Sequence, residues 1–246
     1  MTEAGADDDP AYAVIARSDL LPRLAEEAFG AEYPRELRPY GFTTWSLLRE
    51  IGQRLGIRTG RTLLDLGTGD GSIGLWLAQE YGARLIALDF SAEALRAVRR
   101  GVREPGQATF TDTGLAAGSV DAAVCLDALR YCSDQPGALR ELRRVLRPGG
   151  LFALSALETV ADAVPDEDAT DYRRLVTDAG LLVLHHAEVS GWREPIRRNF
   201  ELWVANADRL RAELGPAVAT RLLDEAAGVL ARFAEHRYVL VVGARP

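Results

Sequence analysis

Short apolar runs of strand type alternate with helical segments through most of the chain. The runs that predict strands are residues 62–66, 84–89, 108–111, 120–126, 151–155, 181–189 and 238–243. The segments that predict helices between them are residues 72–81, 92–100, 136–146 and 168–179. Because strands and helices of this length alternate, the pattern predicts right-handed βαβ units and a mostly parallel sheet.

Two parts of the chain do not follow this alternation. Residues 11–57 are predicted to be mostly helical, with a break at residues 40–42, and residues 190–235 to be an insertion of two helices. Residues 1–10 form an acidic tail that we expect to be disordered. The predicted organisation is thus a tail, a helical cap, and a core at 58–246 that contains a helical lid.

Length and net charge narrow the class of protein. The chain has 246 residues, enough for one large α/β domain with an added subdomain, and a net charge of −7. A negative net charge argues against a protein that follows nucleic-acid phosphates, so we expect no nucleic-acid partner. No apolar run approaches the roughly 20 residues that cross a bilayer, so we expect no membrane partner.

The basic residues and the cysteines exclude further kinds of chemistry. All 29 basic residues are arginine, and the lack of lysine excludes a Schiff-base lysine and a P-loop lysine. Cys125 and Cys132 do not have metal-ligand spacing, so no metal site is predicted. The polar N-terminus does not resemble a secretory signal, and together these features predict a cytoplasmic protein.

The most informative segment is residues 63–71, with the sequence LLDLGTGDG. Gly67, Gly69 and Gly71 remove the Cβ atoms that would keep a ligand away from the backbone, and they allow a sharp turn between a strand and a helix. The segment therefore predicts a nucleotide-type binding loop.

Two ligand classes compete for this loop. The residues from Gly69 to Gly74 fit the dinucleotide fingerprint G-x-G-x-x-G, which indicates a nicotinamide-dependent oxidoreductase. That fingerprint begins directly after its strand, whereas the strand here ends at Leu66 and Gly67 already follows it. In addition, the carboxylate of Asp65 would repel a pyrophosphate and attract a cation. The loop thus favours a ligand with positive charge over a pyrophosphate, and S-adenosylmethionine, which carries an ammonium and a sulfonium group and no phosphate, is a ligand of this kind.

At these motifs the chain resembles the class I S-adenosylmethionine-dependent methyltransferases of small-molecule type. Residues 63–71 match the first motif of that family, apolar-apolar-acid-apolar-Gly-x-Gly-x-Gly. A second acid, Asp89, closes the next strand. Residues 120–129, VDAAVCLDAL, resemble the fourth motif, and residues 141–150, ELRRVLRPGG, resemble the lead into the fifth strand. The matches occur in order between about residues 60 and 155.

The resemblance implies a fold and a donor site. The expected α/β fold is a Rossmann-like, doubly wound, mostly parallel sheet of seven strands with the last strand antiparallel, a helical N-terminal cap, and a helical insertion before the last strand. Asp89 would accept hydrogen bonds from both ribose hydroxyls, Phe90 would pack on the adenine, and Asp112 would lie near the adenine amino group. The predicted donor-binding residues are Asp65, Gly67, Thr68, Gly69, Asp89, Phe90, Asp112, Thr113 and Asp127. An N-cap role for Asp89 and turn roles for Asp65 and Asp112 are the alternatives.

Methyl transfer from a sulfonium requires above all that the donor methyl group and the acceptor atom be aligned. It requires a base only where the acceptor is protonated at neutral pH. Asp127 follows the fourth strand, and ligands of parallel sheets bind at the carboxyl ends of the strands. His185 and His186 are adjacent, so in a strand they point to opposite faces and at most one can face an acceptor. These three are the candidate catalytic residues, with a structural role as the alternative for each histidine.

Aromatic residues outside the sheet are candidates for the acceptor site, because aromatic walls suit a flat or apolar small molecule. The predicted acceptor-binding residues are Tyr40, Trp45, Tyr131, Trp192 and Phe200. Trp203 is spaced from Phe200 as on one helix face, which favours packing.

The predicted function is methyl transfer from S-adenosylmethionine to a small molecule, as in the synthesis of a specialised metabolite. The Asn-Pro-Pro-aromatic motif of amino-methylating DNA enzymes is absent, since residues 127–130 read DALR. Two alternatives stay open: a relative that binds the donor but catalyses another reaction such as cyclisation, and the nicotinamide-dependent oxidoreductase. The sequence does not indicate the acceptor, the methylated atom or the oligomeric state.

Overall fold

The computed structural model describes residues 9–97, 105–159 and 170–246. Residues 1–8 of the predicted disordered tail lie outside these ranges, whereas Asp9 and Pro10 begin the first helix. The end of the helix predicted at 92–100 also lies outside them, because the described helix covers Ala92–Ala97.

A seven-stranded sheet forms the centre of the described structure, with the strand order β3-β2-β1-β4-β5-β7-β6. The strands are β1 (Thr62–Leu66), β2 (Arg84–Asp89), β3 (Pro105–Gln107), β4 (Val120–Leu126), β5 (Leu146–Thr159), β6 (Leu182–Glu188) and β7 (His236–Ala244). The pairs from β3 to β5 are parallel, and β7 is antiparallel to both β5 and β6. The predicted fold class is confirmed.

The third strand lies earlier in the chain than the sequence pattern predicted. The predicted run 108–111 is a turn, in which the Thr109 N–H donates to the carbonyl of Asp112 and the Asp112 N–H donates to the hydroxyl of Thr109. The prediction was wrong because the apolar side chain of Phe110 is buried from the turn and not from a strand.

Helices cover both faces of the sheet and form the two flanking regions. In the described ranges they are α1 (Asp9–Ala16), α2 (Leu20–Phe29), α3 (Trp45–Leu55), α4 (Ser72–Tyr81), α5 (Ala92–Ala97), α6 (Gln135–Val145), α7 (Tyr172–Asp178), α8 (Arg193–Ala205), α9 (Ala207–Leu214) and α10 (Pro216–Ala231). None of these helices has the length and apolar character needed to cross a membrane.

The insertion before the last strand has three helices, where two were predicted. Asn206 separates α8 from α9, and its side-chain amide donates to the carbonyl of Leu202. Gly215 separates α9 from α10 with φ +78, and Pro216 then begins α10. Proline at the first position of a helix starts it without the loss of a hydrogen bond, so the pair marks a helix boundary that hydrophobic periodicity alone does not reveal.

The sheet separates two apolar clusters and brings the two helical regions together. The neighbouring residues Leu63 and Leu64 of β1 are both fully buried and belong to opposite clusters. Burial on both faces explains why the central strands are continuously apolar. On one face, α2 packs against α8, and α8 packs against α10. The N-terminal helices and the insertion therefore form one layer next to the strand ends.

Candidate functional site

A cavity of about 410 Å³ lies between the strand ends and this helical layer. Gly67 and Asp89, which follow or end β1 and β2, line one half of it, and Asp127 after β4 lies between the two halves. Helices α1, α2, α8 and α10 and the loop at 38–41 line the other half. We call these the strand half and the helical half.

The glycine loop is fixed by backbone contacts to the neighbouring strand. The N–H groups of Gly67 and Thr68 both donate to the carbonyl of Leu88, at 2.8 and 3.0 Å. Gly67 has φ +76, and a Cβ at this position would lie 2.6 Å from the Cβ of Ala128. The loop can therefore lie this close to β4 only with glycine there.

Asp89 connects the end of β2 to the glycine loop. Its Oδ2 accepts a hydrogen bond from the Gly69 N–H at 2.8 Å, and its Oδ1 accepts one from the Ser91 N–H at 2.9 Å. The N-cap of the following helix is Ser91, whose Oγ accepts from the Ala94 N–H. Asp89 is 6 % exposed and lines the cavity. Its carboxylate thus orders the loop at the position predicted for the ribose.

Asp65 lies beneath the loop and does not line the cavity. It is 3 % exposed, and its Oδ2 accepts a hydrogen bond from the Thr68 hydroxyl at 2.6 Å. Burial raises the pKa of Asp65 to about 7, against the lowering effect of that hydrogen bond. A Cβ on Gly74 would lie 2.5 Å from Asp65 Oδ2. The last glycine of the apparent dinucleotide fingerprint is therefore explained by packing of α4 on Asp65.

Asp112 and Thr113 also lie outside the cavity lining. Asp112 is exposed in the turn after β3. Thr113 is buried, and its N–H and hydroxyl both donate to Glu141 Oε1, at 2.9 and 2.5 Å. Hydrogen bonds from Arg144, then those from Thr113, lower the pKa of Glu141 to about 2. The observed contacts of Thr113 are thus with the buried Glu141 on α6.

Tyr12 on α1, in the helical half, reaches across to the strand half and was not predicted as a site residue. Its ring lies over the glycine loop, so that a Cβ on Gly69 would collide with its hydroxyl. The hydroxyl interacts with the backbone of Asp70, and burial raises the pKa of Tyr12 well above its usual value. No local signal identifies Tyr12, because the contact depends on how α1 packs.

The helical half has a polar group of side chains at the wall next to β4. The hydroxyl groups of Tyr40 and Tyr131 interact with each other, and both residues line the cavity. Arg130 lies over the Tyr131 ring at 5.4 Å from its centre and pairs with Glu225 at 2.9 Å. Glu225 and Arg221, both on α10, also line the cavity and were not predicted.

Two polar side chains on α8 complete the helical half. Asn199 and Trp203 both line the cavity and are 2 % and 6 % exposed. Asn199 Oδ1 and Trp203 Nε1 are buried and have no hydrogen-bond partner among the residues that the structure describes. Trp203 also packs edge-on against Phe200, with ring centres 5.3 Å apart. Its predicted packing role is therefore accompanied by a position at the cavity.

Three predicted acceptor-binding residues do not line the cavity. Trp45 packs against Trp76, with ring centres 5.3 Å apart. Trp192 packs against Phe233, and its indole N–H donates to Glu188 at 2.9 Å. Phe200 is fully buried behind Trp203. Of the predicted acceptor-binding residues, the structure brings Tyr40 and Tyr131 to the cavity.

The structure does not bring His185 and His186 to the cavity. Both lie on the edge strand β6, which β5 and β7 separate from β4. His186 Nε2 is 3.2 Å from both carboxylate oxygens of the fully buried Glu158. His185 is on the opposite face, 4.0 Å from Glu50, and burial lowers its pKa. These contacts are of the kind expected for structural histidines.

Asp127 lines the cavity, but its carboxylate has protein partners on both oxygens. Oδ2 accepts hydrogen bonds from the Phe42 N–H at 2.8 Å and the Tyr238 hydroxyl at 3.1 Å. Oδ1 accepts one from the Ser155 hydroxyl at 3.2 Å. Burial raises the pKa of Asp127, against the lowering effect of these hydrogen bonds.

Comparison with known proteins agrees with this architecture. Residues 64–154 match the family described as "Methyltransferase domain". The chain is 28% identical over 187 residues to methyltransferase GfsG of Streptomyces halstedii, covering 66% of this chain and 67% of that protein. It is 29% identical over 223 residues to O-methyltransferase cnsE of Penicillium expansum, covering 81% and 77%. The crystal structure of the [4+2]-cyclase SpnF shares the fold, with a TM-score of 0.69, 20% identity, and coverage of 82% and 81%.

The strand order and the glycine loop define a Rossmann-like methyltransferase fold. The family match covers residues 64–154, and with the strand order and the glycine loop it supports a class I S-adenosylmethionine-dependent methyltransferase of small-molecule type. The match to a methyltransferase domain favours S-adenosylmethionine over a nicotinamide cofactor as the ligand of the glycine loop.

Proposed function

We propose that this enzyme transfers the methyl group of S-adenosylmethionine to a hydroxyl of a mainly apolar small molecule. One observation carries the proposal: a continuous cavity joins the glycine loop and Asp89 to an apolar helical wall that includes two unpartnered polar atoms. Such a cavity holds a donor and an acceptor side by side, as a displacement between them requires.

The strand half is suited to the donor. The glycine loop, held by Leu88, allows the donor to approach the main chain closely, and Asp89 lies at the end of the next strand. A carboxylate oxygen accepts more than one hydrogen bond, so Asp89 can bind ribose hydroxyls while it orders the loop. Phe90 and Phe110 line the same half and offer apolar surface to the adenine. The buried carboxylate of Asp65 beneath the loop favours a cationic ligand when it is ionised.

The helical half is suited to an acceptor that is apolar over most of its surface. Ile15, Leu21 and Leu222 contribute aliphatic surface from three different helices. In this wall, Asn199 offers a carbonyl oxygen and Trp203 an indole N–H, and a buried polar atom without a partner is costly. A hydroxyl both donates and accepts hydrogen bonds, so one hydroxyl group suits this pair. The pair therefore supports a hydroxylated acceptor.

The chemistry needs little beyond alignment and the exclusion of water, since the sulfonium already activates the methyl carbon. The acceptor oxygen forms the new bond to that carbon as the carbon–sulfur bond breaks, and S-adenosylhomocysteine leaves. The hydroxyl proton must go to a base. The candidate for this base is Glu225, a carboxylate that lines the helical half and pairs with Arg130.

The experiment that tests this function measures donor binding and product mass. Calorimetry on the folded protein should show binding of S-adenosylhomocysteine. Incubation of the enzyme with methyl-deuterated S-adenosylmethionine and a panel of apolar alcohols and phenols, together with the matching amines and thiols, should give products that gain one labelled methyl group on oxygen. Lack of binding on folded protein, or labelled products methylated only on nitrogen, carbon or sulfur, would contradict the proposal.

A second candidate is a reaction without methyl transfer, such as cyclisation. The observation that favours it is the shared fold of the [4+2]-cyclase SpnF, at a TM-score of 0.69. In that case substrate would be consumed in the presence of the donor with no gain in mass. A role in specialised metabolism, a cytoplasmic location, and the division into tail, cap and core with a lid stay predictions.

A further inference from the structure

We infer that Asp127 is a positioning residue. Its carboxylate fixes the loop at 38–43 against the sheet and so holds the wall of the helical half at a fixed position relative to the donor. The inference builds on the proposed function, because it assigns the role of one residue in that cavity. It replaces the role of general base that the position of Asp127 after β4 suggested.

The backbone of Asp127 has an uncommon conformation that its surroundings maintain. Its φ is +55, a left-handed conformation that residues other than glycine seldom adopt. The Asp127 N–H donates to the carbonyl of Ser155 at 3.0 Å. Such conformations persist where several contacts enforce them, and the side chain of Asp127 supplies further contacts.

The carboxylate joins three separate elements of the fold. Phe42 lies in the loop before α3, Ser155 lies on β5, and Tyr238 lies on β7, and each donates a hydrogen bond to it. A Cβ on Gly41 would lie 2.5 Å from Asp127 Oδ2. The loop therefore crosses directly over the carboxylate, at a distance that only glycine permits.

This loop carries part of the cavity wall. Tyr40 and Gly41 line the cavity, and the Phe42 ring packs edge-on against Phe200 and Tyr238, with ring centres 5.5 and 5.7 Å apart. Phe200 in turn packs against Trp203. Loss of the hydrogen bond from Phe42 to Asp127 would thus release this part of the wall that faces the acceptor. Asp127 therefore affects the wall from its own position at the end of β4.

The same contacts make Asp127 a poor proton acceptor. A general base must present an oxygen to the acceptor hydroxyl. Both oxygens of Asp127 already accept hydrogen bonds from the protein, and Oδ2 accepts three of them, from Phe42, Thr43 and Tyr238. A proton taken up at Oδ2 would compete with the bonds from Phe42 and Tyr238 and would weaken the attachment of the loop.

An asparagine distinguishes the two roles, because it has the shape of aspartate without its basicity. In Asp127→Asn the amide oxygen can accept from Phe42 and Tyr238, while the amide NH₂ can donate to the oxygen of Ser155. A leucine side chain can make none of these hydrogen bonds, so Asp127→Leu removes all of them. Asp208→Leu is the matched control, because Asp208 lies on α9 with its side chain 99% exposed.

Hydrogen–deuterium exchange of residues 38–43 in the full chain tests the attachment without any need for turnover. We expect the exchange of the Phe42 amide to be about 10- to 100-fold faster in Asp127→Leu than in wild type, and within about threefold of wild type in Asp127→Asn and Asp208→Leu. Unchanged protection in Asp127→Leu, in folded protein, would overturn the inference. If Asp127→Leu does not fold, Tyr238→Phe, which removes one donor to Oδ2, replaces it, with a smaller acceleration expected.

Turnover then separates positioning from proton transfer. With an acceptor identified from the alcohol and phenol panel, Asp127→Asn should keep at least about a third of the wild-type kcat, whereas loss of a general base costs about 100- to 10,000-fold. A loss of that size with the loop still protected would refute the positioning role. Lack of S-adenosylhomocysteine binding by wild type would instead contradict the proposed function and leave the exchange result unaffected.

Discussion

The strand half and the helical half of the cavity are built in different ways. The strand half relies on main-chain groups of one loop and on the single carboxylate of Asp89, all within residues 63–91. The helical half consists of side chains from α1, α2, α8 and α10, which come from opposite ends of the chain. A compact local motif thus builds the strand half, whereas the residues of the helical half come from separate elements that no short motif contains.

The largest expected effect comes from the carboxylate of the strand half. Asp89→Ala should weaken binding of S-adenosylhomocysteine by about 100-fold or more, since it removes charge-assisted bonds to the ribose and releases the Gly69 N–H. Asp112→Ala should leave the affinity within about twofold of wild type, because Asp112 does not line the cavity. Calorimetry on both variants measures the contrast, and equal losses would mean that the donor extends to the turn after β3.

A methyl group on the glycine loop tests how closely the donor half is packed. Gly69→Ala should weaken S-adenosylhomocysteine binding by about tenfold, because φ is +58 and the new Cβ meets the hydroxyl of Tyr12. Adding Tyr12→Phe should restore part of the affinity.

Gly56→Ala is the control for strain alone, because Gly56 has φ +55 and nothing within 4 Å of the added Cβ. It should lose about 1 kcal/mol of unfolding free energy and no donor affinity. Urea denaturation and calorimetry measure the two quantities. If Gly56→Ala lowers donor affinity as much as Gly69→Ala, the collision with Tyr12 is not the cause.

Variants of α8 should affect the helical half alone. Asn199→Leu and Trp203→Phe should each weaken binding of 1-naphthol, a probe with one hydroxyl on an apolar body, by about five- to tenfold. Binding of naphthalene should change by less than about twofold. The control is Trp76→Phe, which removes an indole that does not line the cavity. Titrations with the two probes give the ratio of their dissociation constants. An unchanged preference for naphthol in the α8 variants would show that the hydroxyl binds elsewhere.

The smallest expected effect concerns stability alone. Thr113→Val should lower the unfolding free energy by about 1 kcal/mol, because the buried Glu141 loses the hydrogen bond from the Thr113 hydroxyl and keeps the one from the backbone N–H. Donor affinity should not change. The folded pKa of Glu141 is about 2, below its usual 4.5. Its ionised form therefore stabilises the fold fully above about pH 4.5, and this contribution falls as the pH decreases towards 2.

Urea unfolding of wild type and Thr113→Val between pH 2 and pH 7 measures this contribution. The difference between the two proteins should be largest at neutral pH and should shrink in acid. A difference that grows as the pH falls would mean that Thr113 does not act through the ionised Glu141.

Predictions from the sequence succeeded where local pattern and tertiary position coincide. The loop from Gly67 to Gly71 follows a strand and begins a helix, so its geometry is a local property. The number of helices in the insertion was predicted less accurately, because hydrophobic periodicity did not reveal the boundary at Gly215 and Pro216. The predicted strand at 108–111 was wrong because periodicity does not distinguish a buried turn from a strand.

The candidate site shows the same limit in individual residues. Trp45 and Trp192 have the chemistry of an acceptor wall, but they pack against other aromatic rings. Tyr12, Asn199 and Glu225 line the cavity although nothing near them in the sequence distinguishes them from ordinary surface or core positions. Which face of a helix meets a cavity depends on the neighbours of the helix, and the sequence of that helix does not contain this information.

The sequence by itself determined the alternating α/β fold, the glycine loop and the acid that closes the second strand, because these depend on dihedral freedom, hydrophobic periodicity and the order of elements. The tertiary structure alone decided that Asp65 lies beneath the loop, that the histidines of β6 are remote from it, and that Asp127 holds the loop at 38–43 through contacts with β5 and β7. The physical reason is distance along the chain. Phe42 and Tyr238 meet at one carboxylate across about 200 residues, and only packing brings them together.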